Sequence, residues 1–368
     1  TVYLATLFAG GIIVPIDYGL HDKEISNLLN AAKPNLFFVD EEKYDYFVEN
    51  NQGISIYSLS KKHPEKYAYN LSEEKEFTAE MPVEDDVAAI LFTSGTTGYP
   101  KIASHNYKYA LGHFHTAKYW HNVDPDGLHF TISDTGWAKS MWGKFYGQWL
   151  CEAALFVYDF DRFDAADILP MFAKYNITTF CAPPTIYRFL IKEDLSKYDL
   201  SSIKHMTTAG EALNPEVFNQ FRKATGLSLM EGFGQSESTL IIGNLTGNSH
   251  KIGSMGKPVP LYDVHLLDAD GNEVGIGESG EVCINIKNGL PCGLSFGYEG
   301  NPETTAETWR DGWYHTGDLA WRDEDGFFWY VGRVDDVIKS SGYRIGPFEI
   351  ENVIMELPYV LECGVSAA

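Results

Sequence analysis

The chain has 368 residues, 44% hydrophobic and 21% charged, the composition of a folded protein with more than one core and not of a disordered one. Lysine and arginine number 28 against 51 acids, a formal charge of -23 that repels phosphate backbones and anionic lipid surfaces. Neither a nucleic-acid partner nor membrane insertion is expected, whereas a small anionic ligand stays possible, because a few cations and N–H groups can be gathered locally.

The opening stretch, Thr1 to Ile16, holds Gly10, Gly11 and Pro15 but no basic leader, and is too short to cross a bilayer. It reads as a buried helix, Thr1–Ala9, running through a Gly-Gly turn into a buried strand, Ile12–Ile16. No cap precedes Thr1, so a domain that begins upstream is expected. A helix from about Asp22 to Ala32 and an apolar strand at Leu36–Val39 follow. A polar stretch from Glu41 to Asp86 leads into the apolar strand Val87–Phe92. A second run over residues 128–235 contains strand Ala154–Val157, helix Ala165–Tyr175, strand Thr178–Cys181 and helix Thr185–Ile191 after Pro183-Pro184. Such alternation predicts an α/β fold of parallel sheets with flanking helices.

From about Gly253 the texture changes. Val264–Leu267 and Glu281–Ile286 are strand-like around an Asp270-Gly271 turn, and Phe327–Val331 follows Asp325-Gly326. Aspartate-glycine between strand-like runs is a hairpin signal, so an antiparallel β subdomain is expected. After Gly332 comes a charged, glycine-punctuated segment, then a helix (Phe348–Glu356) and an apolar strand from about Tyr359. One helix and one strand cannot bury a core, so they read as the first fragment of a small α+β C-terminal domain. The five cysteines, Cys151, Cys181, Cys283, Cys292 and Cys363, include no C-x-x-C pair. Their spacing predicts neither a disulfide framework nor a zinc site, and fits a reducing interior, the cytoplasm.

The chemistry is concentrated in short segments. Directly after Val87–Phe92 stand Thr93, Ser94, Gly95, Thr96, Thr97, Gly98, Tyr99, Pro100 and Lys101. Glycine lets backbone approach an oxyanion, hydroxyls and N–H groups donate to phosphate oxygens, and Lys101 adds a point charge. The spacing does not match the P-loop of nucleoside triphosphatases. The loop instead resembles the signature loop of the adenylate-forming superfamily, which includes acyl-CoA synthetases, peptide-synthetase adenylation domains and luciferases. Further motifs follow in that family's order.

Thr208-Ala209-Gly210-Glu211-Ala212-Leu213 is similar to the segment that lines the family's adenine pocket. In Glu231-Gly232-Phe233-Gly234-Gln235-Ser236-Glu237-Ser238, the resemblance implies that Phe233 stacks on adenine, Ser236 meets the α-phosphate and Glu237 is the ligand of Mg²⁺. The physical need is plain, since a carboxylate must attack an anionic phosphorus. Two like charges about 4 Å apart repel by roughly 4 kcal/mol at an effective dielectric near 20. Trp313 to Leu319 resembles the ribose motif, with Asp318 accepting both hydroxyls, and Arg333 matches an arginine that reaches ribose or phosphate.

The resemblance then implies residues 1–252 as an adenylation core, 253–332 as its β subdomain, and 333–368 as hinge and start of a mobile small domain. Asp335 matches the hinge, and Gly342 and Arg344 lie in the loop that serves the CoA step. The family's adenylation lysine falls beyond Ala368, so the chain as given is expected to be impaired in the first half-reaction. Asp134 to Ala138, Trp142-Gly143 and Gly147 look most like the medium-chain acyl-CoA synthetase branch, with Trp137 as an acyl-pocket wall. Acetyl-specific relatives carry a tryptophan where this chain has Gly234, which implies an acid longer than acetate, each added methylene being worth about 0.8 kcal/mol when buried. His105, in the strand after the loop, is expected to pack structurally or touch the acyl pocket.

The leading expectation is activation of a carboxylic acid by ATP to acyl-AMP, with transfer to coenzyme A. Two alternatives stay open: loading of a carrier protein, and a non-catalytic nucleotide- or acyl-binding homologue. Oligomeric state is not legible.

Overall fold

The structure is a computed structural model that describes residues 1–50, 53–71, 81–93, 101–160, 162–211, 213, 215–336, 338–340, 343–355, 357, 360 and 363–366. Helix α1 (Val2–Phe8) buries none of its residues and leaves Phe8 72% exposed, so the expected buried helix lies on the surface. Lack of charge permits burial but does not supply a neighbour to cover the helix. In place of the expected strand Ile12–Ile16 there is one bridge, Ile13 to Ala89. Helix α2 (Asp22–Ala32) starts with a His21/Glu24 capping box and buries Ile25, Leu28 and Leu29. The polar stretch after β1 (Leu36–Val39) is not featureless. It holds α3 (Glu41–Asn50), which buries Tyr44 and Phe47, and β2 (Ser55–Ser58), parallel to β1. Strands β3 (Val87–Thr93) and β4 (Lys101–Asn106) are antiparallel, with Thr93 opposite Lys101, so the hydroxyl-rich segment connects two paired strands.

Helix α4 (Tyr109–His115) continues through a π turn at Thr116–Trp120. The main sheet is then laid down by β5 (Leu128–Thr131), α5 (Ala138–Lys144), α6 (Tyr146–Leu150), β6 (Ala154–Phe156), α7 (Ala165–Tyr175), β7 (Thr179–Ala182), α8 (Pro184–Leu190), β8 (His205–Thr208), α9 (Pro215–Thr225), β9 (Leu229–Gly234), β10 (Leu240–Gly243) and β11 (Lys257–Pro258). The strand order is β11-β10-β9-β8-β7-β5-β6. Strands β5 to β9 pair in parallel, and β10 and β11 are antiparallel additions at one edge. The core on one face is aromatic: Phe172 and Phe180 meet edge-on at 5.0 Å, and Tyr187 and Phe221 at 5.4 Å.

The antiparallel sheet follows, as the aspartate-glycine turns predict: β12 (Val264–Leu267), β13 (Ser279–Asn285), β14 (Trp309–Arg310) after α10 (Pro302–Thr308), β15 (Trp313–Arg322) and β16 (Phe328–Arg333). Bulges between Glu281 and Cys283 and between Leu319 and Ala320 bend it. Leu240 and Ile242 from the main sheet share one apolar cluster with Val264, Val282 and Tyr314 from this one. A hairpin of β17 (Ile338–Ser340) and β18 (Tyr343–Ile345) and helix α11 (Pro347–Met355) end the described elements, and the strand expected from Tyr359 falls largely outside the described residues. Among the described residues no helix is long and apolar enough to cross a membrane.

Candidate functional site

The end of β9 points its loop at the middle of β15, and a polar network forms there. Gln235 Nε2 donates to Thr316 O at 2.8 Å and to Asp318 Oδ2 at 2.5 Å, while its Oε1 accepts from Tyr314 OH at 2.6 Å. Arg333, the last residue of β16, donates from Nη1 to Thr316 O at 2.9 Å and pairs with Asp318 Oδ2 at 3.2 Å. Tyr330 OH donates to Asp318 Oδ1 at 3.2 Å. Burial pushes the Asp318 carboxyl up to about 6, against the pull of Arg333, Tyr330 and Gln235, so it is ionised at neutral pH. Gly317 makes the close approach possible. Its φ is +71°, and a Cβ there would lie 2.7 Å from the Arg333 guanidinium.

Three residues past the end of β9 is Glu237, 8% exposed, whose Oε1 accepts from Tyr298 OH at 2.8 Å. Lys101 Nζ stands 5.1 Å from the centre of the Tyr298 ring. Burial raises the Glu237 carboxyl, while Tyr298, Lys101 and Arg333 pull it back. A buried carboxylate with one oxygen anchored and two cations nearby fits the way Mg²⁺ is held, by one carboxylate plus substrate phosphates. His105, fully buried, donates from Nε2 to Ser236 O at 2.8 Å and packs at a tilt against the Tyr109 ring, so it braces the Ser236–Glu237 turn from behind. Burial holds its ring down at about 4, keeping it neutral.

Gly210 has φ +104° and Ala209 O accepts from Lys139 Nζ, while Glu211 accepts from the Thr185 hydroxyl at 2.8 Å and lies 3.5 Å from Arg188. Gly232 leaves space that Leu240 and Trp120 fill. Gly234 does not open a void: a Cβ there would lie 2.3 Å from the Trp142 ring, so an indole from α5 occupies the room that its missing side chain suggests. Phe233 is part-buried against the same cluster as Trp142. Trp137, at the start of α5, is 55% exposed and donates from Nε1 to Asp17 Oδ2 at 2.7 Å.

The structure therefore brings Lys101, Ser236, Glu237, Asp318 and Arg333 to one region, with Thr93 opposite Lys101 at its edge. Gly210, Glu211, Gly232, Phe233 and Gly234 lie on or next to the neighbouring strands β8 and β9, and buried Glu231 is in β9. Asp335 is in an exposed turn directly after Arg333, and Arg344 pairs with Lys339 in the β17–β18 hairpin. Ser94, Gly95, Thr96, Thr97, Gly98, Ala212 and Gly342 lie outside the described residues. Gln235, Tyr298, Thr316 and Tyr330 enter the network without having been singled out. Gln235 sits inside the Glu231–Ser238 motif, where an amide between two glycines and a serine was a usable signal, whereas nothing local marks Tyr298.

The profile of a family described as AMP-binding enzyme matches residues 1–290. The human protein "Acyl-coenzyme A synthetase ACSM3, mitochondrial" is 38% identical over 371 aligned residues, covering 98% of this chain and 63% of that protein. Human "Acyl-coenzyme A synthetase ACSM4, mitochondrial" is 45% identical over 277 residues, 75% of this chain and 48% of that protein. The chain thus spans less than two thirds of these relatives. Among solved structures, an anthranilate CoA ligase, AuaEII, in complex with anthranoyl-AMP superposes with a TM-score of 0.88 at 25% identity, covering 99% of this chain and 70% of that one. A Brucella canis acyl-CoA synthetase gives 0.80 at 26%, covering 99% and 68%. With a family profile matching residues 1–290, most of its length, the chain belongs to the AMP-binding enzymes of the adenylate-forming superfamily.

Proposed function

We propose that this chain carries the nucleotide- and acid-binding part of an ATP-dependent carboxylate:CoA ligase. The acid's carboxylate attacks the α-phosphorus of ATP, the bond to pyrophosphate breaks, and acyl-AMP forms. The CoA thiol, losing its proton, then attacks the acyl carbonyl and AMP leaves. The observation that carries this reading is the convergence of Glu237 and Lys101 with the Asp318–Arg333 pair, drawn from four separate strands and turns.

Each residue has a role its surroundings support. Asp318 is ionised at neutral pH and, as an acceptor-only group, suits a pair of ribose hydroxyls. Arg333 and Lys101 supply positive charge to the triphosphate, and Thr93 to Gly98 supply hydroxyl and N–H donors. Glu237 would hold Mg²⁺, which when bound offsets charge between the two anions. Phe233, Gly210, Glu211 and Ala212 border the base, and Glu231 stays neutral behind it. Trp137 and the Trp142-filled space at Gly234 bound the acid, and Asp335, Gly342 and Arg344 serve the swing to thioester formation. The name of the similar AuaEII structure, a CoA ligase with an acyl adenylate bound, supports the same chemistry. An acid longer than acetate rests on the resemblance of Asp134 to Ala138 to the medium-chain branch and not on Gly234, whose space Trp142 fills. Such a substrate would belong to fatty-acid metabolism, and five free cysteines fit a reducing compartment such as the cytoplasm.

Acid-dependent pyrophosphate exchange by the full-length protein tests the reading. We expect exchange with acids longer than acetate, a drop of about 10²-fold or more in Glu237→Gln, and weakened nucleotide binding in Asp318→Ala. Absence of exchange with every acid tried, or an unchanged Glu237→Gln, would sink it. Acetate as the best substrate would overturn the size assignment. Hydroxamate trapping with CoA and with a phosphopantetheinyl protein separates the acceptors, and thioester on the protein alone would replace CoA.

A further inference from the structure

We infer that the outer face of β13 and β15 carries a binding site for a thiolate-accepting divalent ion of the Zn²⁺ class, held by Glu281, Cys283 and His315. Cysteine spacing along the chain gave no reason to expect such a site, because the donors are not brought together by sequence. The sheet register does it: Cys283 is paired directly with His315 across β13 and β15, and the adjacent bulge leaves Glu281 on the same face.

The donor atoms are close. Cys283 Sγ lies 3.4 Å from His315 Nδ1, and His315 Nδ1 lies 2.9 Å from Glu281 Oε2. One donor from each of the three residues falls within 4.8 Å of the other two. A tetrahedral ion with metal–sulfur distance near 2.3 Å and metal–nitrogen and metal–oxygen distances near 2.0 Å spaces its ligand atoms roughly 3.3–3.6 Å apart. The Cys283–His315 separation already falls in this range, and the Glu281–His315 contact must open by a few tenths of an ångström on this scale. Without an ion, that contact is a hydrogen bond from Nδ1–H to the carboxylate.

Donor chemistry selects the ion. One sulfur, one imidazole and one carboxylate suit Zn²⁺ or Co²⁺ and not Mg²⁺ or Ca²⁺, which prefer oxygen alone. Binding displaces the Cys283 thiol proton to solvent and moves the ring proton of His315 to Nε2. That nitrogen is buried and makes no hydrogen bond among the described residues, so no partner opposes the tautomer change. The other oxygen of Glu281 already accepts from Gly317 N at 2.9 Å, which fixes the carboxylate as an outer-shell contact fixes a metal ligand. Cys283 is fully buried while the His315 and Glu281 side chains keep 11% and 18% exposure, so a fourth ligand can come from solvent. Gly317 adjoins Asp318, so the ion would tie down the strand segment that carries the Asp318–Arg333 pair. The ligands are separate from Glu237, and the test of the site does not depend on the catalytic reading.

The test is a Co²⁺ titration of the complete protein. A near-ultraviolet thiolate-to-cobalt band with tetrahedral visible bands is expected, displaced by Zn²⁺. It should vanish in Cys283→Ser and His315→Gln, weaken at least tenfold in affinity in Glu281→Gln, and persist in Cys363→Ser. No thiolate band in the wild type, or a band that survives Cys283→Ser, would overturn the site. Should the variants fold poorly, X-ray absorption of the zinc-loaded wild type decides: one sulfur with nitrogen and oxygen scatterers supports the assignment, and a shell without sulfur overturns it.

Discussion

The parallel and antiparallel sheets treat buried titratable groups in opposite ways. Around β5 to β9 the chain keeps them neutral: His129 is wedged between the hydroxyls of Thr179 and Thr131, and Glu231 sits buried with one carboxyl oxygen that has no hydrogen-bond partner among the described residues. Along β15 and β16 it gives them polar partners: Asp318 is charged and paired with Arg333, and Glu281 is held by a hydrogen bond with His315 Nδ1. The difference is one of access. A strand covered on both faces offers no counter-charge, so desolvation decides; the antiparallel strands keep one partly open face where a partner can stand. Neutral burial makes a scaffold that is sensitive to pH, and paired burial makes a site that is charged at neutral pH.

The largest effect that would break this contrast is in acid. Burial holds His129 in β5 down at about 3 from an ordinary 6.5, and, outside the two sheets compared, His113 of α4 at about 3 and His105 of β4 at about 4. A depressed folded value means the unfolded chain takes up protons first, so stability is full above 6.5 and is lost as pH falls toward these values. Each group contributes about 3–5 kcal/mol to that loss. Denaturant titrations between pH 7 and pH 4 should therefore show a steep decline that becomes shallower in His129→Gln; equal slopes would refute neutral burial.

Glu231 runs with the opposite sign. Burial pushes its carboxyl up to about 8, so its contribution is full below the ordinary 4.5 and is lost as pH rises through 8. Glu231→Gln should match the wild type at pH 5 and exceed it above pH 8, by up to about 5 kcal/mol. Parallel stability curves would mean that the acid is ionised in place.

Smaller changes sharpen the division between scaffold and site. Phe180→Ala, in the aromatic core, should cost about 3–5 kcal/mol in denaturant unfolding while leaving nucleotide affinity of the folded fraction unchanged. Gly317→Ala should cost only about 1–3 kcal/mol, from a left-handed φ and the Arg333 contact, yet weaken nucleotide binding measured by calorimetry. A nucleotide effect larger in Phe180→Ala than in Gly317→Ala would erase the distinction.

Much of this was legible along the chain. Helices Asp22–Ala32 and Ala165–Tyr175 and strands Leu36–Val39 and Val264–Leu267 coincide with their sequence readings, because periodicity, caps and turn chemistry act over a few residues. Helix α3 was hidden in a polar stretch because only Tyr44 and Phe47 mark its inner face. Helix α1 was read as buried because composition cannot say whether a neighbour is present.

The sequence alone determined the strand–turn–helix alternation, the aspartate-glycine turns and the order of the motif residues, all of them local matters. Only the tertiary structure decided who meets whom: Gln235 with Asp318 across 83 residues, Cys283 with His315 across 32, and the Trp142 ring against Gly234. Those meetings depend on sheet register and on which face a helix buries. A shift of one residue in register would send each of these strand side chains to the opposite face.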